Sequence, residues 1–260
     1  MRSKIYTIVS LSVIGLVVLA TASIIILNGA KNRGFNYVRL DYNPSIEFVT
    51  DTSDKVVAYR PLNDTAKLSI AGLDLKGEEI SVAINKVMDE SLKMGYFDLK
   101  KEYIPIKLIA ISGLTESFDI EVYRAVNDFL VNNQIMGVIV ENENDMSKLQ
   151  EARKLKVTVN ELALIDSISD SNGVPKEMLT SKMPDELIDI VRDIDEEYMM
   201  KCQTQDNELI EKDIMKKEFE QEYTSHIESV SNKNKREYME KRNEIIKARR
   251  RELELNFEIN

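Results

Sequence analysis

The first pattern along the chain is an uninterrupted apolar run. Residues 5–27 carry no charge, and about 20 such residues suffice to cross the hydrocarbon of a bilayer as a helix. Basic residues flank the run on both sides, so positive charge does not decide its direction. Because the large acidic part of the chain follows the run, we predict a signal anchor, with residues 1–4 as a cytoplasmic tail and the remainder outside the membrane.

A cleaved signal peptide is the alternative to an anchor. Residues 20–22, Ala-Thr-Ala, have the small-x-small form of a cleavage site. The apolar run nevertheless continues through residues 23–27, where a signal peptide should become polar. This continuation favours an uncut anchor.

Beyond the apolar run, residues 36–50 alternate between apolar and polar positions, and this period of two predicts extended structure. Pro44 cannot donate to a ladder of hydrogen bonds, so it is expected at an edge, at a bulge or at the start of a strand. Residues 45–60 are typical of a hairpin that turns at residues 51–54. The apolar residues that share one parity are Val38, Leu40, Tyr42, Ile46 and Phe48.

Helical spacing begins after this hairpin, and Asn63-Asp64 is interpreted as the end of the unit before it. Residues 77–92 form a predicted helix that Gly95 ends. Residues 116–132 form a second one, with Ile120, Tyr123, Val126 and Leu130 expected toward the core. Strands are predicted at residues 104–112 and 136–140. The order β-β-α-β-α-β predicts an α+β domain over residues 36–142, a small mixed β-sheet with helices on one face.

A helical pair is predicted next, over residues 145–180. Its arrangement is similar to a DNA-binding helix-turn-helix, but its second helix offers no basic residue to meet phosphates. A packing role is therefore favoured over nucleic-acid binding.

The last part of the chain, residues 184–260, is predicted to be a charged helical extension. Asp193, Asp195 and Glu196 are interpreted as a solvated acidic face rather than a metal site. Residues 233–251 are strongly basic. The extension is thus either solvated throughout, or it carries a basic arm that docks on anionic wall polymer, lipid headgroups or an acidic partner.

Composition excludes several classes of function. A formal net charge of −10 argues against a general nucleic-acid binder, which needs a positive field. The single cysteine, Cys202, cannot form an intramolecular disulfide, and the single histidine, His226, argues against a His-based metal site or a Ser-His-Asp triad. The sequence has no phosphate-binding glycine loop and no nucleophile elbow. We expect no cofactor, no metal and no activity on a separate substrate.

The chemically informative segment is residues 41–48, Asp-Tyr-Asn-Pro-Ser-Ile-Glu-Phe. Asparagine ordinarily decays when the next backbone N–H attacks its side chain, but Pro44 has no N–H. The remaining route is attack of the Asn43 side-chain nitrogen on its own backbone carbonyl, which expels the proline nitrogen and breaks the chain. Asn-Pro is also a common turn dipeptide, so a structural role stays open. The neighbours that could assist cleavage are Asp41, Ser45 and Glu47, which would share a face with Asn43 in a regular strand.

This segment resembles the Asp-x-Asn-Pro-Ser-(Ile/Val)-Glu segment of the anti-sigma-I factor (RsgI) family, in the domain just outside the membrane. Residues 72–77, Gly-Leu-Asp-Leu-Lys-Gly, are similar to that family's strand-to-helix linker, and residues 94–96, Met-Gly-Tyr, to the end of its first helix. Residues 152–165 resemble its closing helical pair, although Lys156 and Asn160-Glu161 stand where the family usually has Gly and Gly-Lys. The resemblance covers roughly residues 5–180.

In that family the Asn-Pro bond is self-cleaved, and the fragments stay associated until a surface signal separates them. The resemblance therefore implies that Asn43 and Pro44 are the scissile pair. The family also has a cytoplasmic segment that binds the sigma factor, and only Met1-Arg2-Ser3-Lys4 stand in its place. We therefore expect no direct sigma-factor binding from this chain, as in a truncated paralogue, a partner of a full-length sensor, or a chain whose true start lies upstream.

Together these patterns predict a single-pass protein of the bacterial cell membrane, with a cytoplasmic N-terminus and an extracytoplasmic α+β domain. It would act in transmembrane signalling of an anti-sigma system, with single-turnover autoproteolysis as its only reaction. The expected partners are the lipid bilayer and a protein of the envelope. The alternative is a non-enzymatic envelope scaffold that acts through its charged C-terminal helix.

Overall fold

Five β-strands form one sheet in the computed structural model, which describes residues 34–112, 117–141, 146–201, 206–231 and 235–258. The strands are β1 (Asn36–Asp41), β2 (Ser45–Thr50), β3 (Val56–Pro61), β4 (Ile104–Ser112) and β5 (Gly137–Glu141). They lie in the order β3-β2-β1-β4-β5. The central strand β1 pairs antiparallel with β2 and β4, and β5 pairs parallel with β4. The predicted mixed sheet is thus confirmed.

The first three helices of the described residues lie between strands in the chain, and the others come after the last strand. They are α1 (Asp64–Ile70), α2 (Ile80–Lys93), α3 (Ser117–Asn132), α4 (Met146–Leu155), α5 (Val159–Asn172), α6 (Lys176–Leu179), α7 (Pro184–Lys201), α8 (Asp206–Ser231) and α9 (Lys235–Glu258). No helix in these ranges is both long and apolar enough to cross a membrane. Residues 5–27, where the anchor is predicted, lie outside the described ranges.

The main core lies on the face of the sheet that α1, α2 and α3 cover. Its strand residues have the predicted parity: Val38, Leu40, Ile46 and Phe48 are fully buried there. The helical spacing of α2 is confirmed as well, because the apolar residues that recur along it are all buried: Ile80, Ala83, Ile84, Val87, Met88 and Leu92. In α3, Val126 and Leu130 are buried as predicted, but the expectation for Ile120 and Tyr123 was wrong. Those two side chains are about half exposed, because α3 turns Phe118, Val122 and Phe129 to the core instead.

The prediction that helices lie on one face only was wrong. The opposite face of the sheet packs against α5 and α7, whose buried Leu164, Ile165 and Leu187 meet Tyr37 and Val49 of the strands. This face carries charged residues, Glu47 above all. They are buried all the same, because other side chains neutralise and hydrogen-bond them. Packing, as predicted, is the role of α5.

The described residues from 184 onward are helical as predicted, but α7 and α8 are packed on the domain rather than solvated. In α8, Phe219 enters the main core and lies over Gly95, where an added Cβ would come within 2.8 Å of its ring. Lys212 is buried, and its Nζ donates to the backbone oxygens of Ser69 and Ala71 at the end of α1. It also pairs with Glu90 of α2. The helix α8 therefore holds α1 and α2 together.

Candidate functional site

The Asn43–Pro44 bond lies at the tip of the hairpin between β1 and β2. Asp41 and Ser45 are direct partners across the hairpin, so residues 42–44 form a three-residue loop. The Tyr42 amide donates to the Pro44 oxygen at 2.9 Å, which closes the loop. The predicted continuous extended run of residues 36–50 is thus divided in two, and Pro44 stands just before β2, at the start of a strand as one of the expectations had it.

Asn43 adopts a left-handed backbone conformation, with φ at 54°. Among non-glycine residues, asparagine tolerates this region best. Its side chain is exposed, while Pro44 is buried. Solvent therefore has access to Asn43, whereas Pro44 is packed inside the protein.

The Asn43 carboxamide is bound by the start of α1. Its Oδ1 accepts a hydrogen bond from Asn63 Nδ2 at 3.2 Å and one from Thr65 Oγ1 at 3.1 Å. Nδ2 of Asn43 donates to no acceptor in the ranges that the structure describes. The oxygen of the carboxamide is thus fixed, and the nitrogen that would attack is left available.

The Asn63 side chain is itself fixed by hydrogen bonds. It is the N-cap of α1, and its Oδ1 accepts from the Ala66 amide at 2.9 Å. The same oxygen accepts from the Ser45 amide at 3.1 Å, on the far side of the scissile bond. An N-cap asparagine satisfies backbone donors that the helix leaves open. Here it also ties α1 to both sides of the Asn43–Pro44 bond.

Tyr42 fixes the strand side of the loop. Its ring stacks on Phe97 with centroids 4.9 Å apart. Its hydroxyl lies 2.9 Å from Ser91 Oγ, which is 2.9 Å from Ser69 Oγ, and burial raises the pKa of Tyr42 well above its usual range. Ser69 Oγ in turn donates to the Thr65 oxygen. A buried chain of hydroxyls therefore links the residue before Asn43 to α1 and α2.

The other predicted site residues are not equally placed. Ser45 is next to the Asn43–Pro44 bond, and its buried hydroxyl has no hydrogen-bond partner among the described residues. Asp41 lies directly across the hairpin from Ser45 and is partly buried. Glu47 is not at the loop, because its carboxylate belongs to a polar cluster under α5 and α7. The loop thus brings Asn43, Pro44 and Ser45 together, and it leaves Glu47 with other partners.

The cluster around Glu47 joins five elements: β1, β2, β3, α5 and α7. The Glu47 carboxylate accepts from Tyr37 Oη at 2.9 Å, from Ser167 Oγ at 2.7 Å and from the Arg60 guanidinium. Arg60 Nε also donates to Asp195 Oδ1 at 2.8 Å. The interpretation of Asp195 as part of a solvated face was wrong, since its side chain is fully buried. One arginine thus serves two buried carboxylates, Glu47 and Asp195.

Electrostatics follow from this burial. Burial and the nearby charge of Glu47 raise the pKa of Asp195 well above its usual range, although Arg60 opposes the shift. Burial and Glu47 likewise raise the pKa of Tyr37. In the part of the chain that the structure describes, no three His, Cys, Asp or Glu side chains are grouped to hold a metal ion.

Asn63 and Thr65 are the residues of the loop's surroundings that the sequence analysis missed. Asn63-Asp64 was interpreted as the end of the preceding unit, and α1 was not predicted. A usable signal was present, because asparagine followed by an acidic residue is typical of a helix start. That signal predicts a cap, whereas the contact with Asn43 requires the folded hairpin.

Comparison with known proteins identifies the family to which the chain is similar. The model of the anti-sigma factor RsgI-like central domain matches residues 35–167. The anti-sigma-I factor RsgI7 of Acetivibrio thermocellus is 22% identical over 168 residues, which are 63% of this chain and 31% of RsgI7. RsgI6 of the same organism is 32% identical over 77 residues, 30% of this chain and 10% of RsgI6. RsgI3 is 33% identical over 90 residues, 34% of this chain and 14% of RsgI3. The matched part therefore spans a third or less of each of these relatives.

Proposed function

This chain belongs to the family of anti-sigma factors with an RsgI-like central domain, and from that premise we propose that it is a single-pass membrane protein whose exported domain cleaves itself between Asn43 and Pro44. Membership of the family supports a role in anti-sigma regulation. The proposal adds the place, a domain outside the cell membrane, and the mode of action, transmembrane signalling with a protein partner. The single observation that carries it is the fixed, left-handed Asn43 at the end of the central strand.

The reaction needs only atoms of the chain. Nδ2 of Asn43 forms a bond to the backbone carbonyl carbon of Asn43, and the bond from that carbon to the Pro44 nitrogen breaks. A proton passes from Nδ2 to the proline nitrogen. One fragment then ends in a succinimide and the other begins with Pro44. Water opens the ring afterwards, which the exposure of Asn43 permits.

The position of the cut gives it a regulatory meaning. Cleavage between β1 and β2 leaves β1 in the N-terminal fragment, where it still pairs with β2 on one side and β4 on the other. The two fragments would remain one folded unit. Force or a ligand that extracts β1 would separate them, and this separation is the proposed signal.

A blot of the full chain tagged at both ends tests cleavage. We expect two fragments in denaturant, with the downstream one beginning at Pro44 by N-terminal sequencing. In Asn43→Ala, which lacks the attacking nitrogen, we expect a full-length band alone. A wild-type chain that stays full-length in denaturant would contradict the proposal.

The scaffold alternative is favoured by one observation, an apolar group on α8. Leu209, Ile210 and Ile214 are 41% to 61% exposed there. Deleting residues 184–260 would not test this role cleanly, because α7 and α8 belong to the cores of the domain. Ile210→Lys with Ile214→Lys leaves those cores intact. Loss of envelope partners in this double variant, with cleavage unchanged, would support the scaffold role.

A further inference from the structure

We propose that Asn63 and Thr65 are positioning residues for the cleavage, which hold the Asn43 carboxamide with its oxygen bound and its nitrogen free to attack. This inference rests on the proposed self-cleavage and names two residues that act through Asn43 rather than on the scissile bond. It is carried by the hydrogen bonds at the start of α1.

The orientation of each amide follows from its partners. The backbone amides of Ser45 and Ala66 both donate to Asn63 Oδ1, so that end of the side chain must be the oxygen. Asn63 therefore directs its NH₂ group at Asn43. Only the oxygen of Asn43 can accept from it. Nδ2 of Asn43, the atom that would attack, is consequently the end of the carboxamide that Asn63 does not bind.

Thr65 supplies a second donor to the same oxygen. Its Oγ1 lies 3.1 Å from Asn43 Oδ1 and 2.9 Å from Asn63 Oδ1. A hydroxyl has one proton, so Thr65 shares it between these two acceptors. The Thr65 hydroxyl thus links the side chains of Asn43 and Asn63, and it restricts the movement of both.

Two physical effects follow for the reaction. First, hydrogen bonds to Oδ1 restrict rotation of the carboxamide, so less conformational entropy is lost when Nδ2 attacks. Second, as Nδ2 gives up its proton, negative charge moves onto Oδ1. Donors already aimed at that oxygen stabilise the charge as it develops.

The same contacts make cleavage depend on the fold. Asn63 is an N-cap only when α1 is formed, and it reaches Ser45 only when β3 is paired with β2. A chain that has not folded lacks both donors. Self-cleavage would therefore start only after β2 has paired with β3 and α1 has formed.

Two substitutions isolate the donors. Asn63→Asp keeps an oxygen for the Ala66 and Ser45 amides, but it replaces the Nδ2 donor with an acceptor. Asn43 would then turn its own nitrogen toward residue 63, away from the carbonyl. Thr65→Val keeps the shape and removes the hydroxyl. Its matched control is Thr65→Ser, which restores it.

The experiment follows the appearance of the Pro44 fragment with time, in the freshly synthesised full chain in detergent, by denaturing gel and mass spectrometry. We expect cleavage to slow about a hundredfold in Asn63→Asp, in the range known for loss of a preorganised donor. In Thr65→Val we expect a smaller effect, about tenfold, because the lost proton is shared between two acceptors. Thr65→Ser should stay within about threefold of the wild-type rate, since its donor is retained. Thermal unfolding of each variant shows that it has folded.

A structural effect is separated by a capping residue far from the loop. Thr158 caps α5 through its hydroxyl and Glu161. Thr158→Val should lower thermal stability and leave the cleavage rate unchanged. Wild-type rates in Asn63→Asp and Thr65→Val would overturn the positioning role, and so would a Thr65→Ser variant as slow as Thr65→Val. A wild type that never yields the Pro44 fragment would instead overturn the proposed cleavage itself.

Discussion

Pro44 decides which of two reactions is open to Asn43. With proline in place there is no backbone N–H to attack the asparagine side chain, so ring closure must run through the side-chain nitrogen. The contact that closes the loop uses the Pro44 oxygen, which any residue supplies. The identity of residue 44 therefore affects the chemistry more than the loop.

We predict that Pro44→Ala stops release of the downstream fragment and turns the site toward deamidation. The new amide of residue 44 would attack the Asn43 side chain, expel ammonia and leave the chain intact. Intact-mass measurement on aged protein should show a full-length chain whose amide has become an acid. Asn43→Ala is the control, with neither cleavage nor deamidation. A Pro44→Ala chain that is cut as fast as the wild type would contradict this account.

At this same scale the site was only partly predictable from the sequence. Asn43, Pro44 and Ser45 are adjacent in the chain, so their proximity needs no fold. Asn63 and Thr65 come some twenty positions later, and they reach Asn43 only through the pairing of β2 with β3 and the start of α1. A period of two or 3.6 says nothing about such a contact. Glu47 shows the converse, because this residue close in sequence is bound by Ser167 on α5 and by Arg60, which also binds Asp195 on α7.

Among the elements, the helix α7 is fixed to the sheet by a charge cluster that is not balanced. Asp195 and Glu47 share Arg60, and within the described ranges the buried Oδ2 of Asp195 has no hydrogen-bond partner. The titratable and charged groups that meet there come from three strands and α7: Tyr37, Glu47, Arg60 and Asp195. The raised pKa of Asp195 means that folding favours its neutral form.

We predict that Asp195→Asn becomes more stabilising, relative to the wild type, as pH rises. A carboxyl whose pKa is raised in the folded state contributes stability below its unfolded value of 3.8, and that stability is lost as pH rises through the folded pKa. Asparagine keeps the oxygen that accepts from Arg60 and has no such loss. Denaturant unfolding of both chains between about pH 4 and pH 8 measures the difference, expected to grow by about 1 kcal/mol or more. A difference that is flat or shrinks with pH would contradict it.

The same cluster explains how far the elements were predictable. The apolar parity of residues 36–50 and the helical spacing of residues 77–92 predicted the main core. An element that packs against one layer has apolar side chains at the period of that element, two in a strand and 3.6 in a helix. The second layer was missed, since its strand face carries Arg39, Glu47 and Arg60. Charged residues are rarely buried unless they are paired. Here the pairing partners, Ser167 and Asp195, come more than a hundred positions later in the chain.

For the whole molecule, the consequence of cleavage depends on β1 being central. An edge strand would be held by one neighbour, but β1 pairs along all six residues with β2 and again with β4. Its apolar side chains are buried on both faces of the sheet, with Val38 and Leu40 on one and Tyr37 on the other. Extracting β1 would expose two strand edges and both cores at once. A cut chain should therefore behave as one particle.

We predict that the two fragments of the wild type elute together in size-exclusion chromatography without denaturant, and separate only when it is added. Leu40→Ala should weaken this association, because a truncated, fully buried leucine costs about 2–5 kcal/mol. The fragments of this variant should separate at a lower denaturant concentration than those of the wild type. Arg39→Gln, on the same strand at a partly exposed position, is the control and should separate like the wild type. Fragments that separate spontaneously in buffer would show that strand pairing does not hold them together. The proposed signal, which is their separation by force or a ligand, would then be contradicted.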